Sequence, residues 1–292
     1  MKLSILAVVL AVFVAGCSSE EEKIAPVVVG GKSTTEQRIL VEMLAEQIEG
    51  AGLPVQRNFD MGSTSDLDSA LRAGKIDVYV EYTATAIATI VRSPAAMAVL
   101  NQGPAVILDR VRAEYDPAGL VWEQPLGYDN PLALVVRGGT AALSITEAKQ
   151  AFHTWRAAFP FEFQSRSDGW PLVRRVYGLE VGEIKTVPEA DLYKVLNSHE
   201  ADVVVGYPTD AALSRMGLRA LNDDHHAFAP NRAVPVVRRA SLQKYAGLES
   251  AINGMANLVT AETMRRANDM VENDHQALSE GVKYLVANAS ML

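Results

Sequence analysis

An α/β fold of two lobes is predicted from three observations: chain length, alternation of strand-like and helix-like segments, and one internal echo. At 292 residues, 49% of them apolar, the chain exceeds a single comfortable hydrophobic core. From residue 27 onward the pattern runs strand, helix, strand, helix, which argues for a mostly parallel sheet with helices on its faces. Laid without gaps, residues 66–82 and 191–207 share seven of seventeen positions: Asp66 with Asp191, Leu67 with Leu192, Leu71 with Leu196, Asp77 with Asp202, Val78 with Val203, Val80 with Val205 and Tyr82 with Tyr207. Ordinary composition would give about one. Each copy reads as a short helix feeding an Asp-Val-x-Val-x-Tyr strand, one copy per lobe.

Taken in order, residues 1–16 begin with Lys2, continue as an apolar run to Val14 and end on the small Ala15 and Gly16, the pattern of a signal peptide. The run is shorter than the roughly 20 residues a spanning helix needs. Val14-Ala15-Gly16-Cys17 resembles a bacterial lipobox, which implies cleavage before Cys17 and lipid on its sulfur. Residues 17–25, with Glu20, Glu21 and Glu22, read as a polar tether. A strand is expected at 27–29, then a turn and a helix capped by Thr34 or Thr35 and running to about Gly50, with the stripe Ile39, Leu40, Met43, Leu44 and Ile48. A strand at 55–59, a helix at 65–73 stopped by Gly74 and a strand at 76–82 follow. A helix-rich stretch ends near Asp116, where Pro117 and Gly119 break it. Strands at 120–122 and 132–136 flank a turn-rich 125–131, taken as the first crossing between lobes. Beyond it the expectation is a helix at 148–158, a strand at 161–164 and a helix at 170–177. The return crossing is expected near 222–229, because the remaining chain is mainly helical and needs a sheet to pack on. Lobe 1 is thus expected to comprise 26–124 and 225–292, and lobe 2 to comprise 125–224.

The composition excludes several functions. A formal net charge of minus eight leaves no basic field for a phosphate backbone, so nucleic acid is not an expected partner. Cys17 is the only cysteine, so the folded part has no internal disulfide and no cysteine-based metal site. Gly31-Lys32-Ser33 lacks the glycine that a phosphate-binding loop needs at position 26, which is Pro26. Asp223-Asp224-His225-His226 reads as a solvated crossing loop, since adjacent side chains point apart and no further ligand spacing supports a metal. No Gly-x-Ser-x-Gly elbow occurs. The expectation is a non-enzymatic protein without catalytic residues, metal or cofactor.

Tyr82 and Tyr207 fall at the carboxyl ends of the echoed strands, where open α/β sheets bind ligands. Two facing rings offer electron density to a cation that cannot donate a hydrogen bond, such as a quaternary ammonium. Lys32, where the first strand turns into a helix, and Arg166, in the other half, are candidates to receive a carboxylate. Taken singly, such residues are more often solvated charges.

At these positions the chain resembles the substrate-binding proteins of glycine betaine, carnitine and choline ABC importers. The resemblance is carried by Val29-Gly30-Gly31-Lys32-Ser33-Thr34-Thr35-Glu36-Gln37, Ile76-Asp77-Val78-Tyr79-Val80-Glu81-Tyr82-Thr83-Ala84-Thr85, the stretch 163–171, and Asp202-Val203-Val204-Val205-Gly206-Tyr207-Pro208-Thr209-Asp210. Further matches lie in the stretch 221–239. It implies a two-lobed, periplasmic-binding-protein-like (type II) fold with a ligand cleft, an extracytoplasmic location at the periplasm or cell surface, and permease subunits as partners. It also implies an aromatic cage around the ammonium, with Tyr82 and Tyr207 as walls and Lys32, Thr85 and Arg166 on the carboxylate. Two positions depart from the family. A further cage member falls at Tyr128 or at Leu132, with Tyr128 favoured, and the usual ring near the return crossing aligns with Asn231, with Phe228 nearby. A different amine with polar substituents, an envelope-located enzyme and a sensor module are the alternatives the residues leave open.

Overall fold

The structure is a computed structural model and describes residues 24–166 and 168–289. The expected signal peptide, Cys17 and most of the tether lie outside the described residues. Among the described residues ten strands form two five-stranded sheets. The first has the order β2-β1-β3-β10-β4, with β1 Val27–Gly30, β2 Val55–Asn58, β3 Val78–Tyr82, β4 Leu120–Trp122 and β10 Ala233–Arg238. The second has the order β7-β6-β8-β5-β9, with β5 Ala133–Arg137, β6 Arg156–Phe159, β7 Glu183–Thr186, β8 Val203–Gly206 and β9 Leu218–Ala220.

The sheets repeat one another strand for strand, which explains the sequence echo. β3 and β8 occupy the same central place, parallel to β1 and β6 respectively. Each is preceded by an aspartate that ties down the neighbouring parallel strand: Asp77 accepts from the Val28 amide at 2.8 Å and Asp202 from the Arg156 amide at 3.0 Å. The matched leucines Leu67, Leu71, Leu192 and Leu196 are buried beneath their sheets. Each sheet also contains one strand that enters from a crossing, β5 or β10, and this strand is antiparallel to its central neighbour. The sheets are therefore mixed, because a chain that returns from the other lobe meets the sheet from its opposite end.

The helix Thr35–Gly50 begins at Thr34, whose hydroxyl accepts from the Gln37 amide, and buries the expected stripe on one face of the first sheet. Alternation along β3 sends Val78 and Val80 to that core and Tyr79 to the other face, against Leu67, Leu71 and Trp122. The C-terminal helices Ala261–Glu272 and Leu278–Ala287 close the first core.

Two expectations for the second lobe need correction. The helix at 148–158 is in fact Ile145–Phe152 followed by strand β6, and 161–164 belongs to the helix Phe161–Ser165, not to a strand. β6 reads Arg-Ala-Ala-Phe, with small residues suited to a strand enclosed by parallel neighbours, so neither periodicity nor β-propensity marks it. Pro160 ends it and stands at the N-cap of the next helix. Leu126 and Tyr128 pack in the first core, Ala227 and Phe228 in the second, and the two crossing segments pair at Asp129 and Arg232. Turn-rich composition marks where a chain bends, not which core takes its last side chain.

Candidate functional site

A cleft of about 400 Å³ opens between the lobes. The first lobe contributes Thr85, Thr89 and Asn101, the second Arg166, Asp168, Tyr207 and Phe228, and Leu132 and Asn231 stand at the crossings. Of the sequence-derived candidates, Thr85, Arg166, Tyr207 and Asn231 are thus brought together on its walls. Lys32, Tyr82 and Tyr128 do not line this space.

Tyr207 follows β8 directly, and its backbone amide donates to Asp210 at 2.8 Å. Tyr193 also donates its hydroxyl to Asp210. A side chain at Gly206 would strike the Tyr193 hydroxyl at 1.9 Å, so this glycine is what allows the approach. Burial raises the Tyr207 phenol to about 12, with Glu189 and Asp210 adding to it, so the ring stays neutral. Arg166 faces the cleft but is gripped by Asp168 through two hydrogen bonds, Nε at 2.9 Å and Nη2 at 2.6 Å. Those bonds hold the Asp168 carboxyl below its usual range, against the pull of burial.

Asn231 does not replace a ring. Its side-chain oxygen accepts from the Ala84 and Thr85 amides at 3.0 and 3.2 Å, capping the short helix Thr83–Ala86, and its nitrogen donates to Thr85 Oγ1 and to the Asn130 carbonyl. The residue therefore sews the return crossing onto the first lobe.

Behind the cleft wall lies a second cluster. Tyr82 and Tyr128 both donate their hydroxyls to Glu36, the latter at 2.7 Å. Burial and the Glu36 charge raise both phenols well above their ordinary value, keeping them as donors. Lys32 stands 5.4 Å from the Tyr82 ring centre, with its ammonium on Glu81 at 2.7 Å. Glu36, Asp168 and Asn101 escaped the sequence reading. Asp168 had a visible signal, two residues after Arg166, whereas Glu36 reads merely as the acidic first turn of a helix. At 223–226, Asp223 anchors the turn: it accepts from Tyr177 and from the Ala227 and Phe228 amides, while the His225 ring stacks on Tyr177. No group of three or more metal-ligating side chains gathers among the described residues, and no described helix is long and apolar enough to cross a membrane.

The ergothioneine transport permease/ergothioneine binding protein EgtU of Helicobacter pylori is 29% identical over 260 residues, covering 86% of this chain. The chain spans only 45% of that relative's length. A glycine-betaine-binding protein of Pseudomonas aeruginosa is 26% identical, covering 85% of this chain and 83% of its own. The solved structure of a glycine betaine/carnitine/choline ABC transporter protein superposes with a TM-score of 0.82 at 20% identity, over 90% of this chain and 98% of the other, which shows the shared two-lobed fold. Residues 25–288 match the family described as the substrate binding domain of ABC-type glycine betaine transport systems, and the chain belongs to that family.

Proposed function

We propose that this chain captures a small quaternary-amine solute, glycine betaine or a related betaine, carnitine or choline, in the interlobe cleft and presents it to an ABC permease. It would do so outside the cytoplasm, anchored by lipid on Cys17. The observation that supports this most directly is a cleft of about 400 Å³ walled by both lobes, within the range of small-ligand sites. Tyr207 supplies a ring for the ammonium from the cleft wall. Arg166, with N–H groups beyond those on Asp168, and Thr85 suit a carboxylate. In this reading Tyr82 and Lys32 complete the site when the lobes close, while Tyr128 and Asn231 position what the ligand meets.

A larger amine with polar substituents is a second reading. It is favoured by Leu132 and Asn231 in walls where the family resemblance leads one to expect rings, and by Thr85, Thr89 and Asn101 alongside them. The relative named for ergothioneine fits the same direction.

Thermal melting with glycine betaine, carnitine, choline and ergothioneine tests both. A ligand bound only by the folded state adds about 2.7 kcal/mol at a hundred times its Kd. A shift with one or more of the first three supports the primary reading, and a shift with ergothioneine alone supports the second. No shift with any would overturn both. Mass spectrometry should recover the bound solute unchanged; a chemically altered solute would make the protein an enzyme.

A further inference from the structure

Glu36 is only 7% exposed, yet among the described residues every donor to its carboxylate is neutral. Tyr82, Tyr128 and Asn130 reach Oε1, while Asn130 and Asn268 reach Oε2 at 3.4 and 3.5 Å. Lys32, whose ammonium stands 5.4 Å from the Tyr82 ring centre, is bound to Glu81, itself fully buried. A buried carboxylate without a counter-ion is costly, and neutral hydrogen bonds offset only part of that cost. Its position is also particular. Asn268, which touches Glu36, donates to the Thr209 carbonyl of the other lobe at 2.9 Å, two residues beyond Tyr207. The charge therefore sits where the lobes meet, behind one candidate cage ring and close to the other. It is felt across that boundary: burial raises the Asp210 carboxyl to about 6, and Glu36 adds to the rise against the hydrogen bonds it accepts from Tyr193 and Tyr207.

We infer that Glu36 is a specificity-determining residue: its uncompensated charge, acting through the Tyr82 and Tyr128 hydroxyls, makes the closed cleft select a cationic head group over a neutral one of the same shape. This rests on the proposed quaternary-amine reading. A ligand ammonium supplies the counter-charge that the protein withholds, and a tyrosine whose hydroxyl donates to a carboxylate presents a more electron-rich ring to a cation. Glu36 does not line the cleft, so it acts through its neighbours as a positioning and electrostatic residue.

The test compares glycine betaine with tert-butylacetate, in which carbon replaces the quaternary nitrogen, by calorimetry on the unmodified protein and on Glu36→Gln. The two ligands share shape and carboxylate, so any change in lobe geometry affects both and cancels in the ratio of their Kd values. Glutamine keeps an acceptor for the two phenols, and its new amide can donate to the Asn130 side-chain oxygen, which has no donor now. The expected result is that the parent prefers betaine at least tenfold and that the preference falls at least tenfold in Glu36→Gln. The melting temperature of the ligand-free variant should equal or exceed the parent's, since a buried charge has been removed. Equal losses for both ligands, with a lower melting temperature, would make Glu36 a structural hub and overturn the inference. If Glu36→Gln does not fold, the parent decides: a preference below about threefold overturns the inference while the transport reading stands. A parent that binds neither betaine nor any other quaternary amine would overturn both.

Discussion

Arg166, on the cleft wall, spends two of its five N–H donors on Asp168 and leaves the rest for other acceptors. A ligand carboxylate would thus meet a guanidinium already fixed in orientation, which lowers the entropy lost on binding. Replacing Arg166 with Met should cost glycine betaine about 1.5 to 3 kcal/mol, roughly a ten- to hundredfold rise in Kd. Choline carries no carboxylate, and the variant leaves Asp168 unpaired beside the cleft, so choline should bind unchanged or tighter. Calorimetry with both ligands checks the contrast. Equal weakening of the two would mean that Arg166 shapes the second lobe and does not read the ligand. Lys32 is likewise held by an acid, Glu81, which is fully buried.

At the scale of elements, the lobes touch through a contact additional to the crossings. Helix Ala211–Arg215 of the second lobe packs on helix Ala261–Glu272 of the first. Arg215 binds Asp269 at 3.0 Å and Asp274 at 2.5 Å, and Arg265 donates to the Pro208 carbonyl at 3.1 Å. This contact holds the loop that carries Tyr207, so it biases the approach of the lobes without touching the solute. Changing Arg215 to Met should weaken every ligand by the same factor, about two- to fivefold, because the arginine is partly exposed and the buried Asp269 keeps Arg266 as a partner, so its loss only shifts a two-state population. Dissociation should quicken, and small-angle scattering should show a larger ligand-free radius of gyration. Ligand-selective losses would place Arg215 in recognition instead. The echoed aspartates are element-scale devices of another kind. Asp77 and Asp202 each satisfy the amide of a neighbouring strand, and for Asp202 the bonds from Arg156 and Arg137 outweigh burial and hold its carboxyl at about 2.

For the whole molecule, the proposed lipid at Cys17 precedes in sequence the first strand, Val27–Gly30. Changing Cys17 to Ser should release the protein from the membrane fraction while leaving ligand affinity in solution unchanged, as fractionation and calorimetry would show. Continued membrane retention would refute the anchor. The sequence by itself determined the two-lobed α/β architecture, the echo and the first-lobe helices, because these rest on local periodicity, a cap at Thr34 or Thr35 and the repeated Asp-Val-x-Val-x-Tyr strand. It also singled out Tyr207, Thr85 and Arg166, since strand ends and family motifs are local signals. Only the tertiary structure decided which charges are already spent. Lys32 meets Glu81 and Tyr82 meets Glu36 across 49 and 46 positions of chain, and Asn231 caps a helix 146 positions away. Such pairings depend on how strands are ordered within a sheet, and no sequence period encodes that order. The same holds for β6, whose small residues make sense only between β7 and β8, and for Glu36, whose buried charge becomes visible only once two tyrosines and the other lobe are folded around it.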